Sequence, residues 1–283
     1  MSKNKNHNFN KNTPHYLRPN FPHIEIGMQG VNGQPYINFE KYLDVSKFEN
    51  LHLETVFGLS QVDKFEHGFL MGEIPPEFKN HYKNVYLESE IFGDIEKFDP
   101  TGFHRKNLDK LMTNQQKRRY CYFAMGGHSP WFGIVYLKRG HFLEKTTENL
   151  NTQWTAEADF FPELKFFIES LKENIFEEIG RCLFLISYPG VETIVHRDFT
   201  QADHKDHCIN LYFSKGRPAF IYDEIKKEKF YLDPMCRAYF FNSRDYHGVD
   251  AETEFRYTLR VDGTFKKNMS EQLGLIDGYV CKS

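Results

Sequence analysis

The part of the sequence that most restricts the fold lies between residues 182 and 262. Eight short apolar, β-branched or aromatic runs follow one another here, separated by turn residues and with no helical pattern between them. They are CLFLISY, TIVHRDF, HCINLYF, AFIYD, KFYLD, CRAYFFN, HGVDA and FRYTLRVD. Parallel strands need long crossover connections, which this spacing does not allow. The runs therefore predict an antiparallel sandwich or barrel.

A helical pattern comes directly before these runs. Apolar residues recur there at spacings of three and four, at Phe161, Leu164, Ile168, Leu171 and Ile175. This spacing places them on one stripe of a helix, which we expect to cover one face of the β core. Gly180 is expected to end the helix. The fold class predicted is mainly β (α+β), with a supporting helix.

The remaining chain divides by composition. The first twenty residues are rich in Asn and Lys and poor in apolar residues, which is typical of a disordered tail. Residues 21–158 are expected to form an N-terminal α/β extension, a candidate for shaping the substrate pocket. Residues 159–265 form the predicted β core, and residues 266–283 a C-terminal extension.

Charge and cysteine content exclude some classes of protein. The chain has 36 Lys and Arg against 39 Asp and Glu, and no basic block indicates a nucleic-acid partner. No apolar run is long enough to span a membrane, and the N-terminus does not have the apolar segment of a signal peptide. Five scattered cysteines without a CxxC pair favour free thiols and a cytoplasmic location. The sequence does not indicate an oligomeric state.

Two histidine–aspartate pairs are candidate metal ligands. His196 and Asp198 are two residues apart in a run with strong strand propensity, so their side chains point to the same face. His204 and Asp206 have the same spacing, but lie in the polar stretch QADHKDH, which is typical of a loop. A preformed metal site needs its ligand side chains to be held by a rigid element such as a strand. The first pair is therefore the better candidate, and His204 is interpreted as a solvated loop residue.

A third ligand is available at the start of a later predicted strand, where His247 lies. Two histidines and one carboxylate on one side of an ion, with the other side open, is the arrangement of non-haem Fe(II) enzymes that use O₂. Two other interpretations remain open. The same ligands accept zinc and other divalent metals, and the three residues could form a structural polar cluster in a non-catalytic barrel.

Arginines in the last predicted strand are candidates for binding an anionic co-substrate. Arg256, Thr258 and Arg260 alternate along FRYTLRVD and share one face. Burying a cation is costly unless an anion meets it, and 2-oxoglutarate, the dicarboxylate co-substrate of this enzyme class, would supply one. The alternation of side chains along the strand does not decide whether Arg256 or Arg260 would bind 2-oxoglutarate.

At this point the chain resembles the aspartyl/asparaginyl β-hydroxylases and the related free-amino-acid hydroxylases. Four features between about residues 160 and 263 carry the resemblance. They are Gly180-Arg181 and Pro189-Gly190 ahead of His196; Lys205-Asp206-His207, with Lys where the family has Arg; the segment FNSRDYHGV at 241–249; and Phe255-Arg256.

The resemblance implies a double-stranded β-helix (jelly-roll, cupin-like) core and an enzyme that uses Fe(II), 2-oxoglutarate and O₂ to hydroxylate an unactivated C–H bond. It implies His196, Asp198 and His247 as catalytic iron ligands. Arg256 would bind the distal carboxylate of 2-oxoglutarate, with His207 assisting. Lys205 departs from the family pattern at the second co-substrate contact.

The resemblance also points to a substrate that is an amino acid, either free or within a peptide. Two alternatives stay open. A cupin-like metal enzyme could use the same barrel without 2-oxoglutarate, and a non-catalytic jelly roll could serve as a binding module.

Overall fold

The structure is a computed structural model. The residues it describes are 28, 30–31, 34–63, 66–67, 72–78, 132–139, 153–187, 189–190, 192–198, 207–214, 216–243, 245–273 and 275. The tail predicted for residues 1–20 lies outside these ranges, as do Lys205 and His204.

All eight predicted core strands are present. They are β6 (Phe176–Ser187), β7 (Thr193–Asp198), β8 (His207–Leu211), β9 (Ala219–Asp223), β10 (Glu228–Tyr231), β11 (Ala238–Phe241), β12 (His247–Val249) and β13 (Arg256–Phe265). Every pairing among them is antiparallel. The antiparallel prediction is therefore confirmed.

The order of these strands defines the fold. One sheet contains them in the order β11-β8-β13-β6, and the other in the order β10-β9-β12-β7. Apart from β9 and β10, which form a hairpin, each successive strand changes sheet, so the chain winds between two facing layers. The fold is a double-stranded β-helix.

Strands from the N-terminal region extend both layers. They are β1 (Tyr36–Asn38), β2 (Glu66–His67), β3 (Gly72–Glu73), β4 (Phe132–Arg139) and β5 (Gln153–Trp154). The larger sheet has the order β1-β11-β8-β13-β6-β4-β2, with β5 paired to β4, and the smaller sheet gains β3 beside β7. The described part of the N-terminal extension is thus continuous with the core sheets.

Two longer helices cover the outer face of the larger sheet. They are α1 (Phe48–Gln61) and α2 (Pro162–Asn174). The predicted apolar stripe is buried in the main hydrophobic cluster together with outward-facing residues of β6 and β13. Both carboxylate oxygens of Glu54 in α1 accept hydrogen bonds from the first backbone N–H groups of α2, at 2.8 Å each from Glu163 and Leu164.

The prediction that Gly180 ends this helix is wrong. The helix ends at Asn174, and Gly180 lies inside the twelve-residue strand β6. Pairing with β13 extends from Ser187 back to Phe176, so sheet hydrogen bonding incorporates the glycine into the strand. A short C-terminal helix, α3 (Lys267–Gln272), follows β13.

Short 3₁₀ helices cover Glu40–Tyr42, Val45–Lys47, Pro76–Phe78 and Ala156–Phe160. A second, smaller apolar cluster fills the space between the two sheets and includes Tyr212, Ile221 and Tyr239. None of the described helices is both long and apolar enough to cross a membrane.

Candidate metal centre

Adjacent strands of the smaller sheet bring the three predicted ligands together. His196 and Asp198 lie at the end of β7, and His247 is the first residue of β12. The two histidines are direct cross-strand partners. His196 and Asp198 share a face because they are two residues apart in a strand. Strand pairing therefore joins a local motif to a residue about fifty positions later.

The ligand atoms are close enough to share one ion. One nitrogen of each imidazole and one oxygen of Asp198 all lie within 4.8 Å of one another. The imidazole centroids are 4.4 Å apart, and Nε2 of His196 is 3.6 Å from Oδ1 of Asp198. His196 is buried, while Asp198 and His247 are partly exposed, so one side of the cluster can be reached from solvent.

Backbone carbonyls orient both imidazoles. Nδ1 of His196 lies 2.8 Å from the carbonyl oxygen of Ile194, and Nδ1 of His247 lies 2.9 Å from that of Asp245. A carbonyl only accepts hydrogen bonds, so each Nδ1 must carry the proton and donate it. Each Nε2 is then left with its lone pair, the form that binds metal.

The electrostatic state of the cluster suits a cation. Burial, together with the neighbouring His196, lowers the pKa of His247 to about 4, so this imidazole is neutral at pH 7. Burial raises the pKa of Asp198, but the contact with His196 and the nearby His247 and Arg260 lower it by more. The Asp198 carboxyl is therefore ionised. Neutral imidazole and ionised carboxylate are the forms that ligate metal.

Arg260 connects the cluster to the larger sheet. Its Nη1 is 3.7 Å from Oδ2 of Asp198, and its Nε donates to Oδ1 of Asp262 at 2.7 Å. Nε of Arg181 donates to the other oxygen of Asp262 at 2.8 Å. Because Asp198 and Arg260 belong to different sheets, this contact places the cluster between the two layers. Arg260 is thus fixed between two carboxylates.

Arg256 lies on the same face of β13, and it also has carboxylate partners. Its Nε donates to Glu252 at 3.1 Å, and its Nη2 contacts Glu254. Glu252 is four residues and Glu254 is two residues before Arg256 in the chain. The structure does not join Arg256 to the three ligand residues.

His207 lies on the other face of the larger sheet. Its ring stacks on Phe265 at a centroid distance of 4.2 Å and meets Phe240 edge-on at 5.7 Å. Burial lowers the pKa of His207 to about 3. The structure does not bring His207 to the metal ligands, and Lys205 lies outside the residues that it describes.

Sequence reasoning missed one basic residue, Arg217, which lies just before β9 and is 6% exposed. Its guanidinium donates to Thr258 at 3.0 Å, to Thr193 at 3.3 Å and to Ser187. Arg217 is two residues before Ala219 and four before Ile221, which face the space between the sheets. Both faces of β9 are buried, so the alternation is not visible in the sequence.

Comparisons with known proteins give weak likenesses only. No protein-family model matches the chain, and no curated protein matches it. Among solved structures, a Trichoplax adhaerens prolyl hydroxylase, in complex with a peptide fragment of a hypoxia inducible factor, is 13% identical. That match covers 80% of this chain and 81% of the other, with a TM-score of 0.40.

A Pseudomonas putida prolyl-4-hydroxylase is 15% identical, over 48% of this chain and 71% of the other, with a TM-score of 0.29. A viral collagen prolyl hydroxylase from Paramecium bursaria Chlorella virus-1, in a 2-oxoglutarate complex, is 12% identical. It matches over 47% and 79% of the two chains, with a TM-score of 0.26. Likenesses with TM-scores this low do not indicate an activity. The fold of this chain is assigned from the order of its own strands in the two sheets.

The donor set itself fits a divalent transition metal. Two imidazole nitrogens and one carboxylate oxygen suit Fe(II), and they also accept zinc and related ions. The three donors come from neighbouring positions of one sheet, and Asp198 and His247 are partly exposed, so an ion held by these residues could take further ligands.

Proposed function

We propose that this protein is an Fe(II)- and 2-oxoglutarate-dependent oxygenase that hydroxylates an unactivated C–H bond. One observation carries the proposal: His196, Asp198 and His247 offer ligand atoms within 4.8 Å of one another, and two of the three are partly exposed, so an ion held there could take further ligands. A structural zinc site is instead closed by four protein ligands. Among the described residues, no other group of three metal-binding side chains has this geometry.

The roles of the three residues follow from their contacts. His196 and His247 hold the metal through Nε2, because each Nδ1 donates to a backbone carbonyl. Asp198 supplies a negative charge, and Arg260 steadies its second oxygen from the facing sheet. Bound Fe(II), together with 2-oxoglutarate and O₂, supplies the oxidation that converts C–H into C–OH. The chain places the reactants and limits water around them.

The finer assignments come from the resemblance to the aspartyl/asparaginyl β-hydroxylases. They are an amino-acid substrate, free or peptidyl, and Arg256 as the partner of the 2-oxoglutarate carboxylate. A cytoplasmic location is proposed from the cysteine content. Cys182, Cys208 and Cys236 are free thiols in the structure, which agrees with a reducing compartment.

The proposal is tested by anaerobic titration of the purified protein with Fe(II) and then 2-oxoglutarate. We expect the visible charge-transfer absorption of an iron–keto-acid chelate, which requires adjacent open positions on the metal. Asp198→Ala should lose it. Metal binding without the absorption would instead indicate a metal site that does not use 2-oxoglutarate. Absence of metal binding would indicate a structural cluster.

A further inference from the structure

The outer side of the two covering helices is apolar and exposed. Five large apolar side chains there are between 42% and 68% exposed: Leu53, Val56 and Phe57 in α1, Phe160 just before α2, and Phe166 in α2. They are half of the ten exposed large apolar side chains in the described part of the chain, so exposed apolar surface is concentrated here. The two helices touch, because a Cβ atom at Gly58 would lie 2.8 Å from the carbonyl oxygen of Phe160. We call the five residues the helix patch.

Helix α1 is apolar on two opposite sides. Phe48, Leu51 and Leu59 on its inner side are buried in the main hydrophobic cluster. At about 3.6 residues per turn, Leu53 and Phe57 project from the opposite side. The outer side of a surface helix is normally polar, and a helix that is apolar all round is normally covered on both sides. The helix patch therefore indicates that a second surface covers α1.

The area of the helix patch suits a contact between two copies of the chain. A phenylalanine side chain has about 150–250 Å² of surface to bury, so the exposed fractions of the five side chains leave roughly 500 Å² of apolar surface open. A stable contact buries about 800 Å² on each partner, and in a homodimer about 65% of the buried area is apolar. The five side chains supply about this share.

The centre of the helix patch carries no free charge. Within residues 50–62, Glu54 is the only residue of the Asp, Glu, Lys and Arg types. Both of its carboxylate oxygens accept hydrogen bonds from the first backbone N–H groups of α2. Beside the patch, Lys165 of α2 lies over the ring of Trp154. The patch thus has an apolar centre with charged residues at its edge, which is the arrangement of protein interfaces.

The absence of charge favours a second copy of this chain as the occupant. In a contact with two-fold symmetry the same patch serves both partners, and residues near the axis meet their own copies. A charge at the centre would therefore meet a like charge and weaken the contact. Contacts between different proteins have no such restriction, and they commonly gain specificity from opposite charges.

The spacing along α1 also suits pairing with another helix. Asn50, Leu53, Phe57 and Ser60 follow one another at intervals of three, four and three residues, and all four are exposed. This is the spacing of the seam between paired helices. The two apolar residues are in the middle of the seam and the two polar residues are at its ends.

We propose that the helix patch is a homodimer interface, in which α1 and α2 of one copy pack against the same two helices of a second copy around a two-fold axis. The interface lies on the outer face of the larger sheet, away from the three metal ligands of the smaller sheet. The inference does not depend on the proposed function.

Sedimentation equilibrium of the full-length, metal-free protein tests the interface by measuring the mass in solution. At concentrations up to about 100 µM, which detect contacts much weaker than those of standard area, we expect the wild-type protein to form a reversible dimer. Phe57→Asp should raise the dissociation constant by about a thousandfold, because a central residue contributes about thirtyfold or more and the two-fold contact contains the substitution twice. Phe166→Asp should raise it by at least about thirtyfold.

Ile225→Asp is the matched control. Ile225 is also a large, exposed apolar residue, but it lies between β9 and β10 of the smaller sheet, so this variant should remain a dimer. The inference is wrong if the wild-type protein is a monomer or an assembly larger than a dimer. It is also wrong if Phe57→Asp dimerises as tightly as the wild type, or if Ile225→Asp dissociates as far as Phe57→Asp.

Urea unfolding identifies the occupant if the wild-type protein is a monomer. If another part of the same chain covers Phe57, Phe57→Asp will lower the free energy of unfolding. If a different protein covers it, the substitution will leave the stability of the isolated chain unchanged. Either result overturns the homodimer. If Phe57→Asp does not fold, Phe57→Ser replaces it, and an unchanged dissociation constant in that variant would likewise overturn the inference.

Discussion

At the residue scale, the metal cluster depends on how the backbone orients two histidines. Each Nδ1 donates to the carbonyl of the residue two positions earlier, Ile194 or Asp245. The Asp245 side chain in turn accepts from the N–H of Gly30 at 2.7 Å, which ties the turn before β12 to the N-terminal region. The cluster is thus oriented before a metal arrives, which lowers the entropy cost of binding.

Replacing any one of the three ligands should remove Fe(II) binding. His247→Ala removes one of the two nitrogens, and the remaining pair cannot hold the ion in a defined geometry. At a hundredfold excess over its dissociation constant, Fe(II) should raise the free energy of unfolding of the wild-type protein by about 2.7 kcal/mol, and should not do so for His247→Ala. Anaerobic urea unfolding with and without Fe(II) measures this.

His207→Phe is the matched control for that prediction. It also removes a histidine from the core, but on the outer face of the larger sheet, where the ring stacks on Phe265. It should keep the full stabilisation by Fe(II). A loss in this variant equal to that in His247→Ala would contradict the assigned ligand set.

At the element scale, the two covering helices meet where α1 passes the start of α2. A Cβ atom at Gly58 would overlap the ring of Phe161 and lie 2.8 Å from the carbonyl oxygen of Phe160. The backbone oxygen cannot move without shifting the chain that leads into α2. Glycine is therefore required here by close approach.

Gly58→Ala should lower the stability of the protein by about 1 kcal/mol, although alanine is the better helix former. The gain in helix propensity is about 1 kcal/mol, while overpacking costs about 1–3 kcal/mol, so the clash outweighs the propensity. Urea unfolding measures the difference. Ser60→Ala, on the exposed side of the same helix, should change the stability by less than about 0.5 kcal/mol. A more stable Gly58→Ala protein would show that the helices can separate at this point.

At the scale of the whole molecule, stability should depend on pH through the buried His207. Burial lowers its pKa to about 3, whereas an unfolded chain has the ordinary value of about 6.5. The unfolded state binds the proton first as the pH falls. The stability that depends on neutral His207 is thus complete above about pH 6.5 and decreases towards pH 3, by up to about 1.4 kcal/mol per pH unit.

His207→Phe should flatten this dependence. Urea unfolding of metal-free wild-type and variant protein at pH 7.5, 6.5 and 5.5 gives the difference in free energy at each pH. We expect the difference to change by about 1 kcal/mol between pH 6.5 and 5.5, in favour of the variant at lower pH. His247 also titrates in the wild-type protein, but it is present in both proteins and cancels. A difference that does not vary with pH would contradict the neutral, buried state of His207.

The sequence by itself determined the succession of eight antiparallel strands, the helix before them and the projection of His196 and Asp198 from one face. These are local properties, because strand propensity and side-chain alternation act over a few residues. The helix end was misplaced at Gly180 because pairing with β13, about eighty residues later, draws that glycine into a strand.

Only the tertiary structure decided the contacts between distant segments. It placed His247 opposite His196 and turned His207 to the outer face against Phe265. It also showed which residues the arginines contact: Arg260 contacts Asp198 across the sheets, while Arg217 donates to hydroxyl groups of both sheets. Charge compensation depends on which residues meet in space. Asp198 and Arg260, which meet here, are far apart along the chain. A single strand pattern does not contain that information.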